Sequence, residues 1–338
     1  MTDGELIPSK AEKKKLTLIF NRIGTALIAH YLLMSVIAKL GFFVLTPFIK
    51  AEYDADGCRI IGFAESAVMF CAPAVTSLLV YFLYYRLYKD KAAPVFYQEE
   101  ISADDLINTM GLCMLVHRFT SIVIVFIYMG LAEFGYGTPS VDFVVSRDLP
   151  TQLLNILTSI ILAPIAEELI FRGILLSEAA RINERFAIVF SAVMFGLMHG
   201  NPYQFASAAI IGLVLGYSVI KTGSLFPAIV GHITVNFMAS VPDIVGLFSE
   251  ALVEYADIAA GLTELVAGVI LTIAVIKNKW VKIPPYTKYD KKRTLPVMVK
   301  SVTLMIIIVV YVLDIIKTVE PIEKAEEFTE TAARIFLT

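Results

Sequence analysis

Glu167, Glu168 and Arg172 fall within Pro164–Arg172, the run Pro-Ile-Ala-Glu-Glu-Leu-Ile-Phe-Arg, inside an otherwise apolar stretch. An ionisable side chain in hydrocarbon costs about 2.5–3.5 kcal/mol on insertion scales, so such groups pair with one another or do chemistry. Helical spacing separates the two glutamates. Neighbours on a helix point about 100° apart, whereas residues four apart share a face. Glu168 can therefore pair with Arg172, while Glu167 aligns with Phe171 and has no partner on its own helix. An unpaired carboxylate in a low-dielectric pocket is a candidate general base. The alternative reading is a buried ion-pair cluster that only packs helices.

Two of the four histidines lie downstream in the same section. His199 ends the run Phe195-Gly-Leu-Met-His199, and His232 opens the run His232-Ile-Thr-Val-Asn236. The i, i+4 spacing puts the His232 imidazole and the Asn236 carboxamide on one helical face. Such a pair can donate to a developing oxyanion, or simply form interhelical hydrogen bonds. Arg181 and Arg185 mark a polar boundary between the first two of these segments. At ~1.5 Å per residue, Glu168 and His199 both lie about 20 Å from it, and His232 lies about 12 Å in from Ser224. The three polar segments can meet at one level.

The elements that position these residues are membrane helices. The chain is 57% hydrophobic and 17% charged, with a mean hydropathy of +0.74. Nine apolar runs are long enough to be read as spans of about 20 residues, at roughly 17–45, 60–85, 109–132, 151–176, 186–200, 204–220, 224–248, 257–276 and 297–316. The fifth and sixth are the shortest. The first run is too long for a signal-peptide core and lacks a small-residue cleavage site, so it is read as an uncleaved span.

The expected fold class is an all-α polytopic membrane protein of about nine transmembrane helices with a four-helix catalytic core. Three sections follow: residues 1–145 with three spans, 146–246 with four spans and most of the embedded polar groups, and 247–338 with two spans, a basic loop at Trp280–Arg293 and an acidic tail. The tail and the stretch Gln98–Asp105 are both expected to form short surface helices.

Lys and Arg favour cytoplasmic loops. With the N-terminus inside, the nine spans place seventeen basic residues on the cytoplasmic side and six outside. The expectation is thus a plasma-membrane protein with a cytoplasmic N-terminus and an external C-terminus. Three scattered cysteines make neither a disulfide framework nor a thiolate metal site. No glycine-rich phosphate loop appears, and no basic, aromatic face suited to nucleic acid. A transporter relay through Glu167 and Glu168 would need matched broken helices in two halves, and the polar residues instead cluster in one section.

Glu167-Glu168-x-x-x-Arg172, Phe195-x-x-x-His199 and His232-x-x-x-Asn236 together resemble the three motifs of the CPBP family. This is the CAAX-protease and bacteriocin-processing family, also called ABI, related to the Rce1 prenyl endopeptidases. The resemblance covers about residues 147–245. It implies an intramembrane endopeptidase acting on a membrane-associated peptide or protein, or else a non-proteolytic scaffold or bacteriocin self-immunity protein of the same fold. By the resemblance, Glu167 and His199 position and activate a water, His232 and Asn236 hold the oxyanion, and Glu168 and Arg172 support the site. Both metal-dependent and metal-independent members are known, so a divalent ion such as zinc and a glutamate mechanism without metal both stay open. There is no His-Glu-x-x-His run, so a zinc would take its ligands from separate helices. Glu65, Arg118, Glu264 and Asp314 are expected to be packing or pairing residues, and His30 and His117 match no motif.

Overall fold

The computed structural model describes residues 9–49, 52–53, 58–88, 101–137, 143–282 and 291–321. The protein is an all-α polytopic membrane protein, and each of the nine apolar runs coincides with a helix. These are α1 (Lys10–Leu45), α2 (Phe63–Leu87), α3 (Ala103–Glu133), α4 (Leu149–Ala180), α5 (Glu184–Met198), α6 (Pro202–Thr222), α7 (Phe226–Ala239), α8 (Val253–Lys277) and α9 (Val302–Lys317).

Among the described residues six segments are long and apolar enough to cross a membrane: α1 together with the turn that follows it, α2, α3, α4, α6, and α8 together with the turn before it. Helices α5, α7 and α9 have 15, 14 and 16 residues. At ~1.5 Å per residue they reach only about 21–24 Å, less than the ~30 Å hydrocarbon thickness. The run expected at 224–248 is divided in two because Pro242, at the start of a separate short helix Val241–Gly246, cannot continue the α7 hydrogen-bond ladder.

Polarity is arranged for lipid. Large apolar side chains such as Phe82, Phe119, Phe126 and Ile270 are at least 60% exposed on the outside of the bundle. The buried core runs along α4 through Ile170, Phe171, Ile174, Leu175 and Leu176, against Phe20, Ile23 and Leu27 of α1, Phe195 of α5, Leu215 of α6 and Leu304 and Ile307 of α9. Helices α1 and α9 approach backbone to backbone at Gly24, where a Cβ would lie 2.2 Å from the amide nitrogen of Leu304. Small residues at crossings are how membrane helices gain close packing.

Five short strands, unforeseen from the apolar pattern, lie in the connections: β1 (Glu52–Tyr53), β2 (Arg59–Ile61), β3 (Tyr136–Gly137), β4 (Phe143–Val145) and β5 (Glu320–Pro321). β1 pairs antiparallel with β2, β2 parallel with β4, and β3 antiparallel with β5. These pairings gather the α1–α2 connection, the α3–α4 connection and the segment after α9 at one end of the bundle. The start of α1, at the far end of that helix from β1, therefore lies at the opposite end of the bundle from β5.

Of the segment expected as a surface helix at 98–105, residues 103–105 form the first turn of α3. Ser102 accepts from the Asp105 amide at 3.1 Å and donates to the Asp105 carboxylate at 2.7 Å, which starts the helix. Residues 98–100, most of the acidic tail and residues 283–290 of the basic loop lie outside the described residues.

Glu65, Arg118, Glu264 and Asp314, the embedded charges expected to pack or pair, are paired. Glu65 meets Arg59, and Glu264 takes His117 at 2.8 Å and Arg118 at 3.0 Å. Asp314 accepts from the Tyr31 hydroxyl at 3.0 Å and from Lys317 at 3.3 Å.

Candidate active site

Helix α4 is continuous, yet two stretches of it widen into π turns, Thr158–Leu162 and Leu169–Leu176, on either side of the α-helical segment Ala163–Glu168. A π turn carries one extra residue and breaks the usual carbonyl alignment. In a membrane, misaligned backbone groups need partners from neighbouring helices. Here the Phe171 carbonyl accepts from Ser191 of α5 at 2.9 Å, and the Gly173 carbonyl from Tyr85 of α2 at 2.7 Å. The Ser159 carbonyl accepts from the Asn236 amide of α7 at 2.8 Å. The glutamate segment is thus held at both ends by side chains from three other helices.

Glu168 and Arg172 are completely buried and bonded, Arg172 Nη1 to Glu168 Oε1 at 2.8 Å. The pair extends further than helical spacing alone suggests. Arg172 Nη2 donates to the Gly212 carbonyl of α6 at 3.2 Å, and the guanidinium lies over the Phe195 ring, 4.5 Å from its centroid. Glu168 Oε1 also meets His232 Nδ1 at 2.9 Å. Arg172 and His232 thus converge on one carboxylate oxygen, with His232 donating to it through Nδ1. Its Nε2 then faces Glu167 Oε2 at 3.8 Å.

Glu167 has no hydrogen bond among the described residues, and its side chain retains 22% exposure. It lines a cavity of about 430 Å³ between α1, α2, α4, α5 and α9.

His199 caps the C-terminal end of α5. Its Nδ1 bonds the Phe195 carbonyl at 2.9 Å. A carbonyl only accepts, so the proton is on Nδ1 and Nε2 is left as an acceptor. Gly200, at φ 70°, turns the chain immediately afterwards. The Phe195 ring serves both imidazoles: His199 packs edge-on at 5.0 Å and His232 at 5.5 Å between centroids. No hydrogen bond or ion pair joins Glu167 to His199 among the described residues.

All six residues singled out in the sequence, Glu167, Glu168, Arg172, His199, His232 and Asn236, come from α4, α5 and α7. They form a linked core of Glu168, Arg172 and His232, with Glu167 beside it. Phe195 connects this core to His199. Asn236 reaches the first π turn of α4 rather than His232's partners.

A metal ion would need at least three converging donors. Among the described residues no three His, Cys, Asp or Glu side chains are grouped to hold one. Glu168 Oε1 is already shared by Arg172 and His232. These residues do not fit a held metal in this arrangement.

Sequence spacing did not reveal Ser159, a backbone acceptor, or the role of Phe195 as a shared ring. It also set aside His30 and Asp314, which line the same cavity as Glu167. Their positions depend on the packing of α1 and α9, which no local pattern reports.

Taken together, the fold and the site define a polytopic helical membrane protein with a buried carboxylate–imidazole centre at the junction of α4, α5 and α7. Residues 149–238 match the family described as Type II CAAX prenyl endopeptidase Rce1-like. Over this core the chain is similar to the Rce1-type family. It is also similar to a protein from Arabidopsis thaliana named CAAX prenyl protease 2. The two are 30% identical over 138 residues, covering 31% of this chain and 44% of the relative. The chain thus spans less than half the length of that curated relative. No solved structure matches it significantly.

Proposed function

We propose that this protein is a membrane-embedded endopeptidase that hydrolyses a peptide bond in a membrane-associated peptide or protein. The observation that carries this reading is the contrast between the two adjacent glutamates. Glu168 is fully buried and bonded to Arg172 and His232, whereas Glu167 carries no hydrogen bond among the described residues and opens onto a cavity large enough for a ligand.

In this mechanism Glu167 takes a proton from a water in the cavity as the water attacks the scissile carbonyl. His199 Nε2 accepts the water's other hydrogen and orients it. His232 in its protonated form donates from Nε2 to the oxyanion, and its Nδ1 stays on Glu168. The second N–H of Asn236 is the further oxyanion donor, the first being bonded to Ser159. Glu167 then passes its proton to the leaving amine, which closes the cycle. No step is routed through a metal, because the donors do not converge on one.

The protein is proposed to lie in the plasma membrane with its N-terminus cytoplasmic, on the bias of basic residues. The family resemblance and the relative's name make prenylated C-terminal peptides one candidate substrate class and unmodified membrane peptides another. The deciding experiment is cleavage of a panel of both by the purified protein in lipid nanodiscs, with and without a strong chelator, alongside Glu167→Gln. Cleavage that resists the chelator and disappears in Glu167→Gln is expected. Chelator-sensitive cleavage would replace the metal-free mechanism. A folded wild type that binds but cleaves neither class would favour the scaffold or immunity reading.

A further inference from the structure

The cavity beside Glu167 is built largely by helices outside the family-matched core. His30 and Tyr31 come from α1, Ser77 from α2, and Tyr311 and Asp314 from α9. Within it the Tyr311 side chain is only 2% exposed, and its hydroxyl has no hydrogen-bond partner among the described residues. A buried hydroxyl left unpaired is costly, so its retention points to a ligand group that completes it. Asp314 lies one helical turn away on α9, and the Tyr31 hydroxyl orients its carboxylate. Its Cβ is 3.9 Å from where a Cβ on Gly200 would sit, so the carboxylate stands beside the turn that follows His199.

Charge then selects the ligand. Among the described residues two carboxylates, Glu167 and Asp314, line the cavity, and no lysine or arginine does. Lys317 reaches Asp314 from outside, but its side chain is 74% exposed and screened by solvent. An acidic side chain or a terminal carboxylate entering here would face two like charges, whereas an ammonium or guanidinium would find acceptors.

We propose that this cavity is a specificity subsite that receives a basic side chain, lysine or arginine, next to the scissile bond of the substrate. Asp314 is its ion-pair acceptor and Tyr311 supplies a hydrogen bond. The assignment deepens the hydrolase reading and rests on it for the word substrate, but the binding it predicts does not require catalysis.

The test has two arms. In the first, N-acetyl-lysine methylamide, N-acetyl-arginine methylamide and the neutral N-acetyl-norleucine methylamide are titrated against purified full-length wild type and Glu167→Gln, with thermal shift as the readout. The two basic probes are expected to stabilise both proteins and the neutral one not. Asp314→Asn, which keeps an acceptor for Tyr31, should reduce the basic probes' affinity about ten-fold or more, and Tyr311→Phe less. Absence of any preference for the basic probes would overturn the subsite.

In the second arm, peptides differing only by lysine or norleucine beside the cleaved bond are compared by kcat/KM. Wild type should prefer lysine about ten-fold, chiefly through KM, and Asp314→Asn should bring the ratio near one. Cleavage without such a preference would leave the hydrolase and remove the subsite. Asp314-dependent binding without cleavage of any peptide would leave the subsite and remove the hydrolase.

Discussion

His232 bonds Glu168 through Nδ1 at 2.9 Å and by that bond holds its Nε2 3.8 Å from Glu167. One imidazole from α7 therefore bridges the two adjacent carboxylates of α4, fixed by the one that is buried and directed at the one that is not. Arg172, from the following turn, anchors the same Glu168 oxygen. The consequences can be measured.

Glu167→Gln should abolish peptide cleavage while the protein still inserts and melts as wild type does. General-base catalysis contributes about 10²–10⁴-fold, and the amide removes the base without changing volume. His199→Ala should lose activity to a similar degree. Full cleavage by either variant would remove these residues from the mechanism.

Glu168→Ala and Arg172→Ala should each lower the melting temperature in detergent and also reduce activity. Removing one member of a buried pair leaves an uncompensated charge, at a cost of about 3–5 kcal/mol. Glu168→Ala has a second effect, because His232 loses the acceptor that orients it. An unchanged melting curve for both variants would argue against the structural pair.

Asn236→Ala separates two roles. Loss of its bond to Ser159 should cost about 0.5–1.5 kcal/mol of stability. Loss of an oxyanion donor should lower kcat about 10²–10³-fold with little change in KM. A lowered melting temperature with unchanged kcat would assign Asn236 wholly to holding the π turn.

Labelling of single cysteines with a membrane-impermeant reagent should find Lys14→Cys accessible from the cytoplasmic side and Phe328→Cys from the outside. The strand pairings already set the start of α1 and the residues after α9 at opposite ends of the bundle. The reverse labelling would invert the proposed orientation, and labelling of both from one side would overturn the nine-span reading.

Much of this protein follows from its sequence because the membrane imposes one rule everywhere. Apolar runs become helices, since only a helix satisfies its own backbone in lipid, and all nine runs did so. The Glu168–Arg172 pair and the spare Glu167 were likewise legible, because four-residue spacing on a helix is a local property. Three features were not local. The π turns around the glutamates exist because Ser191, Tyr85 and Asn236 on other helices receive the carbonyls that α4 misaligns. The attachment of His232 to Glu168 depends on where α7 crosses α4. The placement of Tyr311 and Asp314 beside Glu167 depends on α1 and α9 closing over the core, with Gly24 permitting their contact. Spacing along one helix determined which charges could pair and which was left over; only the packing of separate helices decided which of them meet and what shares their cavity.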